Sequence, residues 1–253
     1  MADRWAEWLL FKRFGGEANT ETARLQMKLL TQVRDTVLDF AYLKPEETVL
    51  DVGCGDGLMG FGALERSAPS GRTIFLDISD DLLQRCREIA RDTQMIDLRS
   101  FVRAAADWLP LRDESVDLVT TRSVLIFVED KDTALSEFRR VLRPKGRVAR
   151  FETVFVPEFR HQNLIWPGFG PAELGQSEIE PVRDLIDRLI AHHGKFSRST
   201  ASMTAFGHKD WFFALDRVGF AAITATLSVS LGRLPPVTWD NILKASLNPR
   251  YRP

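Results

Sequence analysis

Short apolar strands alternate with amphipathic helices between residues 48 and 153, and this alternation constrains the fold more than any other feature. Strands that alternate with helices form βαβ units, which build a parallel sheet covered by helices on both faces. We therefore predict an α/β fold with a doubly wound sheet. The predicted strands are residues 48–52, 72–77, 99–103, 116–121 and 147–153, and the predicted helices between them are residues 58–67, 80–93 and 131–142.

The segments on either side of this core follow other patterns. Residues 1–14 have close to helical spacing and an aromatic face with Trp5, Trp8 and Phe11, and residues 20–42 form a second amphipathic pattern. Prolines and glycines interrupt residues 155–205, which we interpret as an insertion after strand five. A helix at 209–218, ended by Gly219, and a sixth strand at 222–231 follow.

The predicted organisation therefore has four parts. Residues 1–43 form an N-terminal helical cap, and residues 44–154 form the core. Residues 155–205 form the insertion, at the carboxyl edge of the sheet, where loops build sites. Residues 206–253 complete the core and end in a tail.

Composition argues against several classes of partner. The 253 residues carry a net charge of −1, so there is no electrostatic case for a nucleic acid or a membrane surface. No apolar run approaches the roughly 20 residues of a membrane span, and the N-terminus lacks the apolar core of a secretory signal. The two cysteines, Cys54 and Cys86, form no disulfide framework. We expect a cytoplasmic protein, and a homo-oligomer remains open.

The segment VLDVGCGDG at residues 49–57 predicts a buried strand, a glycine-rich turn and the start of a helix. Glycine accepts positive φ and lets the backbone come close to a ligand, and a helix N-terminus offers free N–H groups. A tight turn without a ligand needs one or two glycines, whereas three alternate here after Asp51. The segment therefore predicts a nucleotide-like cofactor near residue 55.

Two cofactor classes compete for this turn. Gly55, Gly57 and Gly60 match the dinucleotide fingerprint GxGxxG, with Asp77 as its acid. The fingerprint, however, places its first glycine directly after strand one, and here that glycine is Gly53. An NAD(P)-dependent oxidoreductase on a Rossmann sheet is thus the alternative, although the chain has no Tyr-x-x-x-Lys pair.

The pattern hh-Asp-x-Gly-x-Gly-x-Gly, in which Asp51 ends the strand, resembles the first motif of class I S-adenosylmethionine-dependent methyltransferases. The segment ADWLPL at 106–111 resembles the family's acidic segment that ends in Leu-Pro. SVDLV at 115–119 resembles its fourth strand, and RVLRPKGR at 140–147 resembles its hairpin-like turn into strand five. The likeness covers about residues 45–153, and beyond them there is a looser likeness to bacterial small-molecule methyltransferases.

The resemblance implies a Rossmann-like sheet, S-adenosylmethionine as cofactor, and a role for each acid. Asp51 suits the ammonium and sulfonium groups, and Asp77 suits the ribose hydroxyls because Ser79 or Asp80 can cap the next helix. Asp107 would meet the adenine amino group and Trp108 its ring, with a surface turn and a core position as their alternatives. The cofactor-binding set is Asp51, Gly53, Cys54, Gly55, Gly57, Asp77, Ile78, Asp107, Trp108 and Arg122.

The implied reaction is in-line transfer of a methyl group to a small, partly apolar acceptor. Such a displacement needs alignment first, and a base only if the nucleophile must lose a proton. His161 and His208 are the candidates for a base, although each is more often a surface histidine, and no metal site is expected.

Several alternatives stay open. The aromatic N-terminal helix either packs on the sheet edge or forms a lid that excludes water. Arsenite is disfavoured as the acceptor because a thiolate site would need more than two cysteines. A non-catalytic protein that binds S-adenosylmethionine is a further alternative. The family's sheet usually has a seventh strand, but residues 232–253 show none, so 222–231 is predicted to be a sheet edge.

Overall fold

The computed structural model describes residues 3, 5–7, 9, 21–93, 99–152 and 206–226. The helices are α1 (Glu21–Phe40), α2 (Leu58–Ser67), α3 (Asp80–Asp92), α4 (Lys131–Val141) and α5 (His208–Val218). The strands are β1 (Thr48–Val52), β2 (Arg72–Asp77), β3 (Arg99–Arg103), β4 (Val116–Arg122) and β5 (Leu142–Phe151), and a short 3₁₀ helix spans Leu125–Phe127. Residues 5–7 and 9 are also helical.

The five strands are parallel and lie in the order β3-β2-β1-β4-β5. The order reverses between β1 and β4, so the chain leaves these two strands in opposite directions and opens a crevice at their carboxyl ends. Ligands of doubly wound sheets bind at this point. The parallel α/β sheet is confirmed, and the loops after its strands are the place to look for a site.

The apolar residues of β1 form the centre of the sheet. Val49, Leu50 and Val52 are fully buried, although neighbouring residues of a strand point to opposite faces. Both faces of β1 are therefore covered. Val49 packs with Leu38 of α1 in one core cluster, while Phe75 of β2 is in a second cluster with residues of α2 and α3.

The observed core elements differ from the predicted ones by no more than one residue, except for strand five. This strand begins at Leu142, directly after α4, and not at residue 147. Val116 pairs with Leu142 and Leu118 pairs with Arg147, so the register shifts between them. The residues predicted to form a turn are therefore a bulge inside β5, because the partner strand continues the pairing on both sides of them.

The end of the chain corrects a second prediction. Gly219 has a φ of +89° and ends α5 as predicted, with the N–H of Phe220 donating to the carbonyl of Leu215. Residues 222–226 belong to no strand, so the predicted strand at 222–231 is wrong in its described part. Ala222 has a φ of +55°, which an extended strand does not tolerate. Residues 227–253 lie outside the described residues.

The chain divides into two compact units. One contains Met1–Thr153 and Ala214–Phe220, and the other contains Val154–Phe213 and Ala221–Pro253. The insertion predicted at 155–205 lies outside the described residues, so the predicted four-part organisation stays a prediction. Among the described residues, no helix is both long enough and apolar enough to cross a membrane.

Candidate functional site

The glycine-rich turn follows β1 at the carboxyl edge of the sheet. Gly53, Gly55 and Gly57 have φ angles of +62°, +57° and +87°, which glycine adopts without strain. Gly57 is also the N-cap of α2, so the helix begins directly at the turn. The predicted sequence of strand, turn and helix is confirmed.

Gly53 is a point of close packing between two loops. A Cβ atom at this position would lie 2.3 Å from Cγ2 of Val124, which is far inside van der Waals contact. Val124 belongs to the loop that follows β4. The missing side chain at Gly53 therefore lets the loops after β1 and β4 meet at the point where the strand order reverses.

Asp51 lies beneath this turn and is only 1% exposed. Its Oδ2 accepts a hydrogen bond of 2.8 Å from the N–H of Gly60, which ties β1 to the first turn of α2. Burial raises the pKa of Asp51 to about 8; the charge of Asp77 adds to the rise, while the Gly60 hydrogen bond and Arg122 oppose it. A cation bound nearby would stabilise the ionised carboxylate and oppose this shift.

Asp77 ends β2 and is 7% exposed. Its Oδ2 accepts the N–H of Gly55 and its Oδ1 accepts the N–H of Ser79, both at 2.9 Å. Ser79 caps α3 by accepting the N–H of Leu82, as predicted, so Asp77 is not the helix cap, although it already binds two backbone N–H groups. Each carboxylate oxygen can accept more than one hydrogen bond, so ribose hydroxyls still fit. Burial raises the pKa of Asp77.

The segment after β3 carries Asp107 and Trp108, and both side chains are exposed. Trp108 is 67% exposed, which rules out a core position for it. Ile78, which follows the neighbouring strand β2, is 45% exposed. Each of these exposed apolar side chains offers a face that an aromatic ligand can cover.

The first residues of the chain lie against the loops that follow β1, β2 and β4. Asp3 accepts a hydrogen bond of 2.5 Å from the hydroxyl of Ser79, after β2. The ring of Trp5 packs edge-on against Phe127, after β4, with the centroids 5.4 Å apart. Leu9 packs onto the glycine-rich turn after β1. The N-terminal segment thus contacts three loops at the carboxyl edge of the sheet.

Glu152, directly after β5, was not singled out from the sequence. Its carboxylate accepts the N–H groups of Val124, Leu125 and Ile126 at 3.2, 3.1 and 3.3 Å. Burial raises the pKa of Glu152, and these donors and the charge of Arg150 oppose the rise. Glu152 holds the loop that packs on the glycine-rich turn. The position of this acid at the end of a strand was the signal in the sequence that could have identified Glu152.

The other predicted residues divide between described and undescribed parts of the chain. Cys54 is buried in the turn, and Arg122 ends β4 close enough to affect the charge of Asp51. His161 lies outside the described residues, as does the side chain of His208, so neither is tested as a base. Within the described part of the chain, no group of three or more His, Cys, Asp or Glu residues could hold a metal ion.

Residues 50–149 match a protein-family profile described as a methyltransferase domain. An uncharacterised 37.1 kDa protein in transposon TN4556 of Streptomyces fradiae is 36% identical over 172 residues, which are 68% of this chain and 45% of that protein. An arsenite methyltransferase of Halobacterium salinarum is 34% identical over 151 residues, 58% of this chain and 38% of that protein.

A third relative is also a named methyltransferase. The ubiquinone/menaquinone biosynthesis C-methyltransferase of Hahella chejuensis is 36% identical over 115 residues, 46% of each chain. The chain therefore spans less than half the length of these three curated relatives.

Solved structures share the fold. A SAM-dependent methyltransferase from Aquifex aeolicus has a TM-score of 0.50 at 18% identity and covers 74% of this chain and 78% of its own. Geranyl diphosphate C-methyltransferase from Streptomyces coelicolor, bound to S-adenosyl-L-homocysteine, has a TM-score of 0.55 at 14% identity and covers 80% and 64%. At these identities the likeness shows the fold alone. Residues 50–149 therefore form a methyltransferase domain of the class I S-adenosylmethionine-dependent family, within a fold that solved methyltransferases share.

Proposed function

We propose that this chain transfers a methyl group from S-adenosylmethionine to a small, partly apolar acceptor. The observation that carries the proposal is the turn of three left-handed glycines that begins at Gly53, above the buried Asp51, where the strand order reverses. When bound, S-adenosylmethionine supplies an electrophilic methyl group on its sulfonium, which a nucleophile of the acceptor displaces in line. The chain's own contribution is to bind, to align and to exclude water.

The residues at the crevice fit this cofactor. Asp51 offers a carboxylate to the ammonium and sulfonium groups, and the glycines of the turn let the backbone approach them. Asp77 has acceptor capacity left for the ribose hydroxyls. The exposed Asp107 suits the adenine amino group, and the exposed faces of Ile78 and Trp108 suit the ring.

Charge at the turn disfavours a dinucleotide. Asp51, Asp56 and Asp77 are all buried near one another, since the charges of the last two raise the pKa of the first. A pyrophosphate would add two negative charges to this group, whereas a sulfonium and an ammonium would offset it. The N–H of Gly60 is also used by Asp51 rather than left for a phosphate.

We further propose that the N-terminal segment is a lid over the cofactor rather than a packing element on the sheet edge. Its contacts through Asp3, Trp5 and Leu9 reach the loops after β2, β4 and β1. Covering these loops would keep water away from the transferred methyl group. The aromatic side chains of this segment are the reason to expect a partly apolar acceptor.

Arsenite remains a disfavoured acceptor, even though one relative is an arsenite methyltransferase. The chain's two thiols are both buried, and both lie against the carbonyl of Gly55, with Sγ–O distances of 3.7 Å for Cys54 and 3.3 Å for Cys86. Burial and the neighbouring Cys86 thiol raise the pKa of Cys54 well above its usual value. An arsenic site needs accessible thiols, and both cysteines are buried.

Titration calorimetry with S-adenosylhomocysteine and with NADPH tests the cofactor. We expect binding of the first ligand and none of the second, and the reverse result would support the oxidoreductase. A panel of phenols, amines and quinols then tests the acceptor. Binding without turnover of any acceptor would favour the non-catalytic alternative.

His161 and His208 stay the proposed bases for an acceptor that must lose a proton. We also propose a cytoplasmic location.

A further inference from the structure

We propose that Arg140 and Glu137 of α4 position the segment that receives adenine and thereby set the selectivity for that base. The proposal rests on the proposed function, because it takes Asp107 and Trp108 as the adenine contacts. Arg140 and Glu137 are positioning residues. They act through the backbone of residues 109–111, which they hold from the helix.

Arg140 fixes both ends of this short stretch. Its Nη2 donates to the carbonyl of Leu109 and its Nη1 to the carbonyl of Leu111, each at 2.8 Å. Nη1 also donates to the carboxylate of Asp113 at 2.6 Å. The guanidinium is a rigid planar fork, so one side chain sets the distance between the two carbonyls.

Glu137 completes the arrangement from the preceding turn of α4. Its Oε2 accepts the N–H of Leu109 at 2.8 Å, and its two oxygens accept from Nε and Nη2 of Arg140 at 2.6 and 2.8 Å. A bidentate ion pair of this kind is geometrically specific. Hydrogen bonding to Arg140 lowers the pKa of Glu137, so the pair is ionised at neutral pH. One ion pair thus holds both the N–H and the carbonyl of Leu109.

Before Leu109, the N–H of Trp108 donates to the carbonyl of Ala105 at 3.2 Å, and Arg140 and Glu137 anchor the other side of Trp108. Leu109 itself is buried, whereas the side chains of Asp107 and Trp108 are exposed. Exposed side chains contribute little packing, so the direction of this segment depends on its backbone anchors. A hydrogen bond to the base depends on distance and angle, so a shift of this segment weakens the contact between Asp107 and the amino group.

Base selectivity separates this role from a general contribution to stability. The experiment compares the Kd of S-adenosylhomocysteine with that of S-inosylhomocysteine, in which a 6-oxo group replaces the 6-amino group. We expect the wild-type chain to prefer the adenine ligand, because Asp107 can only accept a hydrogen bond. In Arg140→Met this preference should fall by roughly tenfold, because the acceptor is displaced. A general loss of stability would weaken both ligands alike.

Two milder variants and one matched control are measured together with Arg140→Met. Glu137→Gln keeps the shape but removes the charge, and Arg140→Lys keeps the charge but removes the fork; both should lower the preference in part. Arg143→Met removes an ion pair of 2.6 Å with Asp117, which touches no residue of the adenine segment. That control should keep the wild-type preference.

The outcomes distinguish the inference from the function on which it rests. In one outcome, the wild type prefers the adenine ligand while Arg140→Met and Glu137→Gln keep that preference unchanged. This result overturns the positioning role alone. An equal loss of the preference for adenine in the Arg143→Met control overturns the positioning role as well. A wild-type chain that binds neither nucleoside overturns both the inference and the proposed function. If Arg140→Met does not fold, Glu137→Gln and Arg140→Lys decide the question.

Discussion

The proposed cofactor site has two ends, which are built in opposite ways. The turn end contains Asp51 and Asp77, and the adenine end contains Asp107 and Trp108. At the turn, Asp51 and Asp77 are buried, and they accept the backbone N–H groups of Gly60 and of Gly55 and Ser79, which tie the turn to α2 and to the end of β2. At the adenine end, Asp107 and Trp108 are exposed, and hydrogen bonds from α4 hold the backbone beside them. Changes at the turn should therefore alter stability and affinity together, whereas changes at the adenine end should alter affinity alone.

The largest expected effect concerns the pH dependence of folding through Asp51. Its folded pKa is about 8 against a usual 3.8, so between these values the folded chain keeps a proton that the unfolded chain has lost. Stability should therefore fall as pH rises from about 4 to about 8, by several kcal/mol in all, and then level off. Urea unfolding at a series of pH values measures this slope.

Asp51→Asn should make this slope shallower, because the amide oxygen can still accept the N–H of Gly60 but does not titrate; Asp77 and Glu152, whose pKa values burial also raises, keep the rest of the slope. Asp107→Asn is the control at the other end of the site and should keep the wild-type slope. Equal slopes in wild type and Asp51→Asn would contradict the assignment of this pH dependence to Asp51.

Gly53→Ala should lower the free energy of unfolding by about 2–4 kcal/mol, because it combines a left-handed φ with a clash against Val124. It should also remove measurable binding of S-adenosylhomocysteine. Gly219→Ala is the matched control, since its φ is +89° but the nearest atom to its Cβ would be 3.4 Å away. The control should lose about 1–2 kcal/mol and no affinity. Similar losses in both variants would exclude the clash as the cause.

Asp77→Asn should cost about 1–3 kcal/mol of stability, because the new NH₂ group leaves one of two buried N–H donors unpaired. Affinity for S-adenosylhomocysteine should fall with it. Asp107→Asn should lower affinity and change stability by less than about 0.5 kcal/mol, as an exposed substitution. Chemical unfolding and calorimetry on both variants test this difference, and a stability loss in Asp107→Asn would break the contrast between the two ends.

The smallest effect is expected for Trp108→Ala. Removing an exposed ring that stacks on adenine should weaken S-adenosylhomocysteine binding by about 1 kcal/mol and leave the unliganded Tm unchanged. Tyr42→Ala removes another exposed aromatic ring, 78% exposed, and should change neither quantity. If Trp108→Ala binds as tightly as the wild type, the ring does not cover the ligand.

Sequence reasoning predicted the core elements well where the pattern is local. The glycine-rich turn, the cap at Ser79 and the stop at Gly219 all depend on residues a few positions apart, and all are confirmed. The start of β5 was missed because the bulge depends on pairing with β4. The strand at 222–231 was predicted from its alternation alone, which does not reveal the left-handed φ of Ala222.

The acids of the site show the same limit. Their positions at strand ends could be predicted, but their partners could not. Asp77 binds an N–H group 22 residues away, and Glu152 binds groups 26 to 28 residues away. Arg140 reaches a carbonyl 31 residues away. Such pairings depend on which strands are neighbours, and hydrophobic periodicity carries no information on that order.

By itself, the sequence determined the parallel sheet, the left-handed turn after β1 and the acids that end β1 and β2. These features follow from side-chain periodicity, from the backbone freedom of glycine and from capping, which act over a few residues. Only the tertiary structure decided that Asp77 is shared with the backbone, that Trp108 is exposed, and that Glu152 and Arg140 hold the loops. The physical reason is that burial and hydrogen-bond partners arise from contacts between distant residues, which exist only once the strands are ordered in the sheet.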